Sequence, residues 1–240
     1  MSDTLYLSLW YPNLRLAGLA DKLTAVLGSF AAHGGEARVY SATVWPINWN
    51  ESPVFQQVYG RRVGAGDGAL GAEPRLAVEE ALELLHEDYA YEFQIGWSLW
   101  ELESDGNAGP STALGAKNAP NSAQDDSQLR EDDRVFVGLD ARWALTPRLV
   151  RVTGFGPLFD EGAYEADGHI RVEFGSDAPF LEEDLELDSV AARRVEENVR
   201  QLVELTAAIE KESGATARLL WSELGESLAS RLALRLRGAN

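Results

Sequence analysis

The stretch Gly66-Asp67-Gly68-Ala69-Leu70-Gly71 formally matches the glycine fingerprint that cradles a dinucleotide pyrophosphate between a strand and a helix. Its setting argues against that chemistry. In a working fingerprint the third glycine already lies in the helix, so that backbone amides aim at the phosphate. Here Pro74 is the residue suited to a first helical turn, three positions too late, and no lysine follows as a P-loop requires. The stretch is expected to be a surface loop.

Carboxylates are the second chemical resource. Between Asp160 and Asp188 stand eleven of them against Arg171 alone, a local charge of −10 within a chain total of −18. Like charges at this density repel and raise one another's pKa unless they are solvated, metal-bound or facing positive charge. Calcium would need the spacing Asp-x-Asp-x-Asp-Gly with a distal Glu, which 160–168 does not provide. The run Glu182-Glu183-Asp184-Leu185-Glu186 precedes a predicted helix, where acids meet the positive end of the dipole. A solvated face is the plain reading. The functional one is a surface for a basic protein, with Asp160, Glu161, Glu182, Glu183, Asp184 and Glu186 as its carboxylates. A metal-dependent enzyme with a carboxylate site inside 160–188 is the competing reading, and a structural role alone is the third.

The three histidines have local explanations. His33 and His86 each close a predicted helix, where a protonated imidazole offsets the dipole, and His169 follows the turn Asp167-Gly168 into a strand. Gly-x-Ser-x-Gly, His-Glu-x-x-His and Cys-x-x-Cys do not occur, so the hydrolase, zincin and thiol signatures are missing. Paired carboxylates can cleave glycosides, but among 39 acids some pair is inevitable and carries no information. No catalytic residue, metal or cofactor is assigned.

Aromatic residues concentrate in the first half at Trp10, Trp45, Trp49, Trp97 and Trp100. On one strand Phe93 and Trp97 share the core-facing parity, whereas Trp100 falls on the other. Trp100 is therefore a candidate anchor for a partner, unless the second half of the chain covers it.

These residues must be positioned by strands and helices legible from periodicity. Residues 4–11 alternate as a strand, and Leu16, Leu19, Leu23, Val26, Leu27 and Phe30 recur at helical spacing up to Gly34-Gly35. Strands over 37–45 and 53–63, a helix over 74–86 and a long strand over 89–102 complete the order β-α-β-β-α-β. That order predicts an α+β fold whose first half, 1–103, is a ferredoxin-like antiparallel four-stranded sheet with both helices on one face. Residues 104–133 lack apolar periodicity and read as a flexible linker or long loop. The second half, 134–240, reads β-β-β-α-β-α, with strands at 135–139, 148–153, 169–175 and 217–221 and helices at 188–214 and 226–237. It either shares a core with the first half or folds apart.

Composition bounds the rest. The chain has no cysteine, which removes disulfides, thiolate metal sites and thiol catalysis and suits a reducing compartment. Without a basic-plus-apolar leader or a long apolar run, the cytoplasm is expected. Eighteen arginines against three lysines suggest a GC-rich bacterial genome. A net charge of −18 repels phosphate backbones and anionic lipid, so neither nucleic acid nor membrane is expected as a ligand. The composite expectation is a non-catalytic acidic bacterial protein that binds a basic protein, an immunity or inhibitor protein against a cationic toxin being one instance.

Overall fold

The computed structural model describes residues 3–33, 35–60, 71–102, 143–181 and 189–222. Among the described residues, alternation of apolar side chains builds one antiparallel sheet of seven strands in the order β3-β2-β4-β5-β6-β1-β7. Its strands are β1 (Thr4–Trp10), β2 (Gly35–Pro46), β3 (Phe55–Val58), β4 (Tyr89–Leu102), β5 (Trp143–Phe155), β6 (Ile170–Ser176) and β7 (Ala217–Ser222). Five helices accompany it among the described residues: α1 (Leu19–Ser29), α2 (Pro74–Ala81), α3 (Ala163–Ala166), α4 (Ala178–Leu181) and α5 (Ser189–Ser213). The class is α+β. No helix among the described residues is long and apolar enough to cross a membrane.

Strand register makes the two faces chemically distinct. One row across the sheet runs Ala42, Phe93, Val152, Val172, Leu7, Leu220. This face lies under the helices, where α1 contributes Leu19, Leu23, Val26 and Leu27 and α5 contributes Val199, Leu202, Leu205 and Ile209 to the same core. Trp97 sits in that core with Phe30 at 6.3 Å, Phe174 at 5.4 Å and Phe180 at 5.9 Å, and its indole N–H donates to the His33 carbonyl at 2.8 Å. Burying each such large apolar side chain contributes about 1.5–3 kcal/mol. The two flanking rows on the opposite face are largely polar. They run Gln56, Thr43, Glu92, Thr153, Arg171, Ser8, Leu219 and Val58, Ser41, Gln94, Arg151, Glu173, Tyr6, Trp221.

Through residue 102 the chain order is β-α-β-β-α-β, as the periodicity predicts. The pairing is different. β1 does not join the other strands of the first half in a ferredoxin-like sheet; it lies between β6 and β7, separated from β4 by β5 and β6. The reason is non-local. The 25-residue α5, roughly 37 Å long, returns the chain so that β7 closes the free edge of β1, and periodicity within β1 holds no record of partners some 165 and 210 residues away. β5 also starts before the expected 148–153. Pro147 is tolerated within it because, among the described residues, β6 pairs only with Arg151–Gly154 and no ladder on that edge is interrupted at Pro147. β3 is confined to four residues, shorter than the expected 53–63.

The expected linker 104–133, the strand at 135–139 and the helix at 226–237 lie outside the described residues, as do Gly66 to Leu70. Gly71, the last glycine of that motif, leads into Ala72, whose N–H and carbonyl both bond to Val39 at 2.9 Å.

Candidate functional site

Three connections meet at one end of the sheet: 46–54 after β2, 85–88 before β4 and 156–162 after β5. Backbone hydrogen bonds lock them together. Ile47 N–H donates to Asp88 O at 2.7 Å, Asp160 N–H to Ile47 O at 2.8 Å, Leu158 N–H to Glu87 O at 2.9 Å and Gly156 N–H to Tyr89 O at 2.7 Å. Gly156 is what permits this approach, since a Cβ there would lie 2.3 Å from Glu87 O and 2.8 Å from Tyr89 O. Beneath the loops, Trp49 meets Phe159 at 5.0 Å and Phe155 at 6.2 Å, edge to face. With Ala90 and Trp45 these rings form a second small apolar cluster, separate from the main core.

The rim so formed carries backbone strain. Ile47 has φ 61°, Asp160 φ 46° and Glu161 φ 50°. A β-branched residue in this region is a genuine outlier, and each such position costs on the order of 1–3 kcal/mol, sustained only where the surroundings over-determine it. Asn48 N–H bonds to Pro46 O at 2.6 Å, closing the rare strained form of the γ-turn around Ile47. The side chains this conformation presents face water: Ile47 is 56% exposed and Leu158 60%, and Glu51, Glu87, Asp160 and Glu161 are exposed beside them. The three connections contain no lysine or arginine. The rim thus exposes Ile47 and Leu158 on loops that also carry the carboxylates of Glu51, Glu87, Asp160 and Glu161. Among the described residues no group of three or more His, Asp or Glu converges as metal ligands.

The polar sheet face next to this rim carries its charges in ion pairs. Arg151 reaches Glu173 at 3.0 Å and Glu92 at 3.4 Å, while Arg171 pairs with Asp167 at 2.6 Å and lies over the Phe155 and Tyr6 rings. Burial pushes the Glu92 carboxyl above its ordinary range; the Arg151 charge opposes that rise and Glu173 adds to it. Tyr6 stacks on Trp221 at 4.6 Å, and the Trp221 indole donates to Ser8 Oγ at 3.1 Å.

Of the residues anticipated from sequence, Asp160 and Glu161 sit in the rim. Trp100 does not. It lies eleven residues beyond Tyr89 along β4, roughly 35 Å away at the strand rise. There the guanidinium of Arg194 stands 3.7 Å over its ring, and Asn198 of the same helix bonds to its backbone. The second half of the chain covers it. Glu182, Glu183, Asp184 and Glu186 lie outside the described residues.

The histidines make separate local contacts. The His33 carbonyl receives Trp97 and Gln201 side chains, His86 faces Asp88 at 3.7 Å, and His169 accepts the Tyr11 N–H on Nδ1 at 3.0 Å. Ile47, Leu158, Glu87 and Asp88 were not singled out by sequence. The turn residues Pro46, Asn48 and Asn50 mark the loop of Ile47, and Gly154, Gly156 and Pro157 that of Leu158, without saying which other loops each meets.

Comparison with protein-family models, curated proteins and solved structures finds no match to the chain.

Proposed function

We propose that this chain is a non-catalytic binding protein of the bacterial cytoplasm that engages a basic protein through the rim of Ile47, Leu158, Asp160 and Glu161. The observation that carries the reading is the coincidence of three left-handed non-glycine residues in loops tied to one another, all at a place where apolar and acidic side chains are exposed. Strain of this kind concentrates at functional sites because folding alone would not retain it. A central apolar contact would supply affinity while the surrounding carboxylates steer a cationic partner and exclude acidic ones. The chain's net charge of −18 extends that field beyond the rim. Inhibition of a cationic toxin or nuclease, as by an immunity protein, is one role such a surface suits.

Affinity capture from source-cell lysate at low salt tests this, using the wild-type chain beside D160K/E161K and Leu158→Asp variants. A variant with lysine at Glu182, Glu183, Asp184 and Glu186 reports separately on that run. The reading predicts one basic protein retained in fixed stoichiometry, released by salt and lost from both rim variants. Recovery of no basic protein, or equal recovery on the rim variants, would overturn it.

A further inference from the structure

A hollow of about 310 Å³ opens on the polar sheet face over β2, β3 and β4. Its position follows from register. Thr43 stands opposite both Gln56 and Glu92, and Ser41 opposite Gln94, so two hydroxyls, two carboxamides and one carboxyl project from adjoining strands. Tyr40 and Trp45 add aromatic rings, and Val58, Gly60 and Leu149 complete the lining. Tyr40 reaches the face through a bulge in β2 between Val39 and Ser41. Its ring lies across Gly96, where a Cβ would come within 3.0 Å of Cε2; the missing side chain is what makes room for the ring.

Several features point to a ligand and to its chemistry. The Ser41, Thr43, Gln56 and Gln94 side chains line the hollow without a hydrogen bond to another described residue. The Trp45 indole N–H is buried and lacks a hydrogen bond of normal geometry, although it lies close enough to Glu92 to hold back the rise of its pKa. Among the described residues the one charged group lining the hollow is Glu92, which faces Arg151. What remains unspent is neutral, works both as donor and as acceptor in the amides and hydroxyls, and is flanked by two ring surfaces.

We propose that this hollow binds a neutral polyhydroxylated ring, of the size and chemistry of a single sugar residue. Its hydroxyls would pair with Gln56, Gln94, Ser41 and Thr43, and its C–H face would lie against the aromatic lining. The volume sits at the small end of ligand pockets, which fits one ring and not a chain. The site shares Trp45 with the apolar cluster beneath the rim but needs no protein bound there.

The test is saturation-transfer NMR on the full chain with glucose, galactose, mannose and N-acetylglucosamine as probes, with cyclohexanol, tetramethylammonium and phosphate as apolar, cationic and anionic comparators. At least one sugar is expected to bind in the millimolar range, with transfer strongest to its ring protons. Gln94→Ala and Gln56→Ala should each weaken it about tenfold, the equivalent of about 1.4 kcal/mol, without changing the unliganded melting temperature. Trp45→Phe, which keeps an aromatic ring, should preserve binding. Failure of all four sugars, stronger binding of a comparator, or binding indifferent to Gln94→Ala would each overturn the assignment.

Discussion

The side-chain amide of Asn198 completes the edge of β4 at Trp100 as a neighbouring strand would. Its Oδ1 accepts the Trp100 N–H at 2.9 Å and its Nδ2 donates to the Trp100 carbonyl at 2.8 Å. The same Nδ2 donates to the Pro179 carbonyl at 2.9 Å, and the residue is fully buried. β2 pairs with β4 no further than Trp97, so without Asn198 these groups have no ladder to join. Asn198→Ala would leave three polar groups without partners at roughly 1–3 kcal/mol each. A loss of about 3 kcal/mol or more in urea unfolding is expected. Asn198→Asp, which cannot donate, should be no better. A loss under about 1 kcal/mol for both would show that the edge does not depend on this amide.

His169 predicts a pH dependence. Its Nδ1 accepts a backbone N–H from Tyr11, its ring stacks on Tyr164 at 4.0 Å, and burial lowers its pKa. The folded state therefore favours the neutral ring. Above the unfolded pKa of about 6.5 both states are neutral and this contribution is complete. As pH falls below that value the unfolded chain takes up a proton first, and stability declines until the depressed folded pKa is passed. His169→Gln keeps an acceptor for Tyr11 without titrating. The difference between wild-type and variant urea midpoints should shift against the wild type from about pH 7 to about pH 5; parallel profiles would refute the linkage.

Strain at Glu161 should be separable from its charge. Glu161→Gly relieves a left-handed conformation and is expected to raise stability by about 1 kcal/mol, whereas Glu161→Ala, equally strained, should not. Both remove a rim carboxylate, so the glycine variant should be more stable and bind its partner less tightly. Equal thermal midpoints for the two variants would mean that the turn holds no strain at this residue.

The sequence shows some of this directly and hides the rest for a physical reason. The alternation of Tyr91, Phe93, Ile95 and Trp97 against Glu92, Gln94 and Ser98 gives β4 at its observed bounds, because a strand's two faces are a local property. The apolar stripe of α1 and its end near Phe30 are local in the same way. Which strands pair is not. β1 has the composition of a sheet centre but no mark distinguishing β2 and β4 from β6 and β7 as neighbours. The candidate sites divide along the same line. Asp160 and Glu161 stand out as charge, while their meeting with Ile47 depends on loops more than a hundred residues apart. The hollow depends on cross-strand register, which turn geometry and the whole sheet decide together.

Gly156 tests whether the rim is one unit. Any Cβ there meets the carbonyls of Glu87 and Tyr89, so Gly156→Ala must push 156–162 away from 86–89 and break the bonds from Gly156 and Leu158. A loss of about 2–4 kcal/mol is expected, with hydrogen exchange accelerating at Ile47, Leu158 and Asp160 together. Acceleration confined to Gly156 would mean that the three loops open independently.

The most direct measurement is calorimetric titration of the purified captured partner into the wild-type, Leu158→Asp and D160K/E161K chains across a salt series. Saturable binding is expected that weakens as salt screens the carboxylates and falls at least about tenfold in either variant. Affinity indifferent to salt and to both substitutions would contradict it and place the binding surface elsewhere on the molecule.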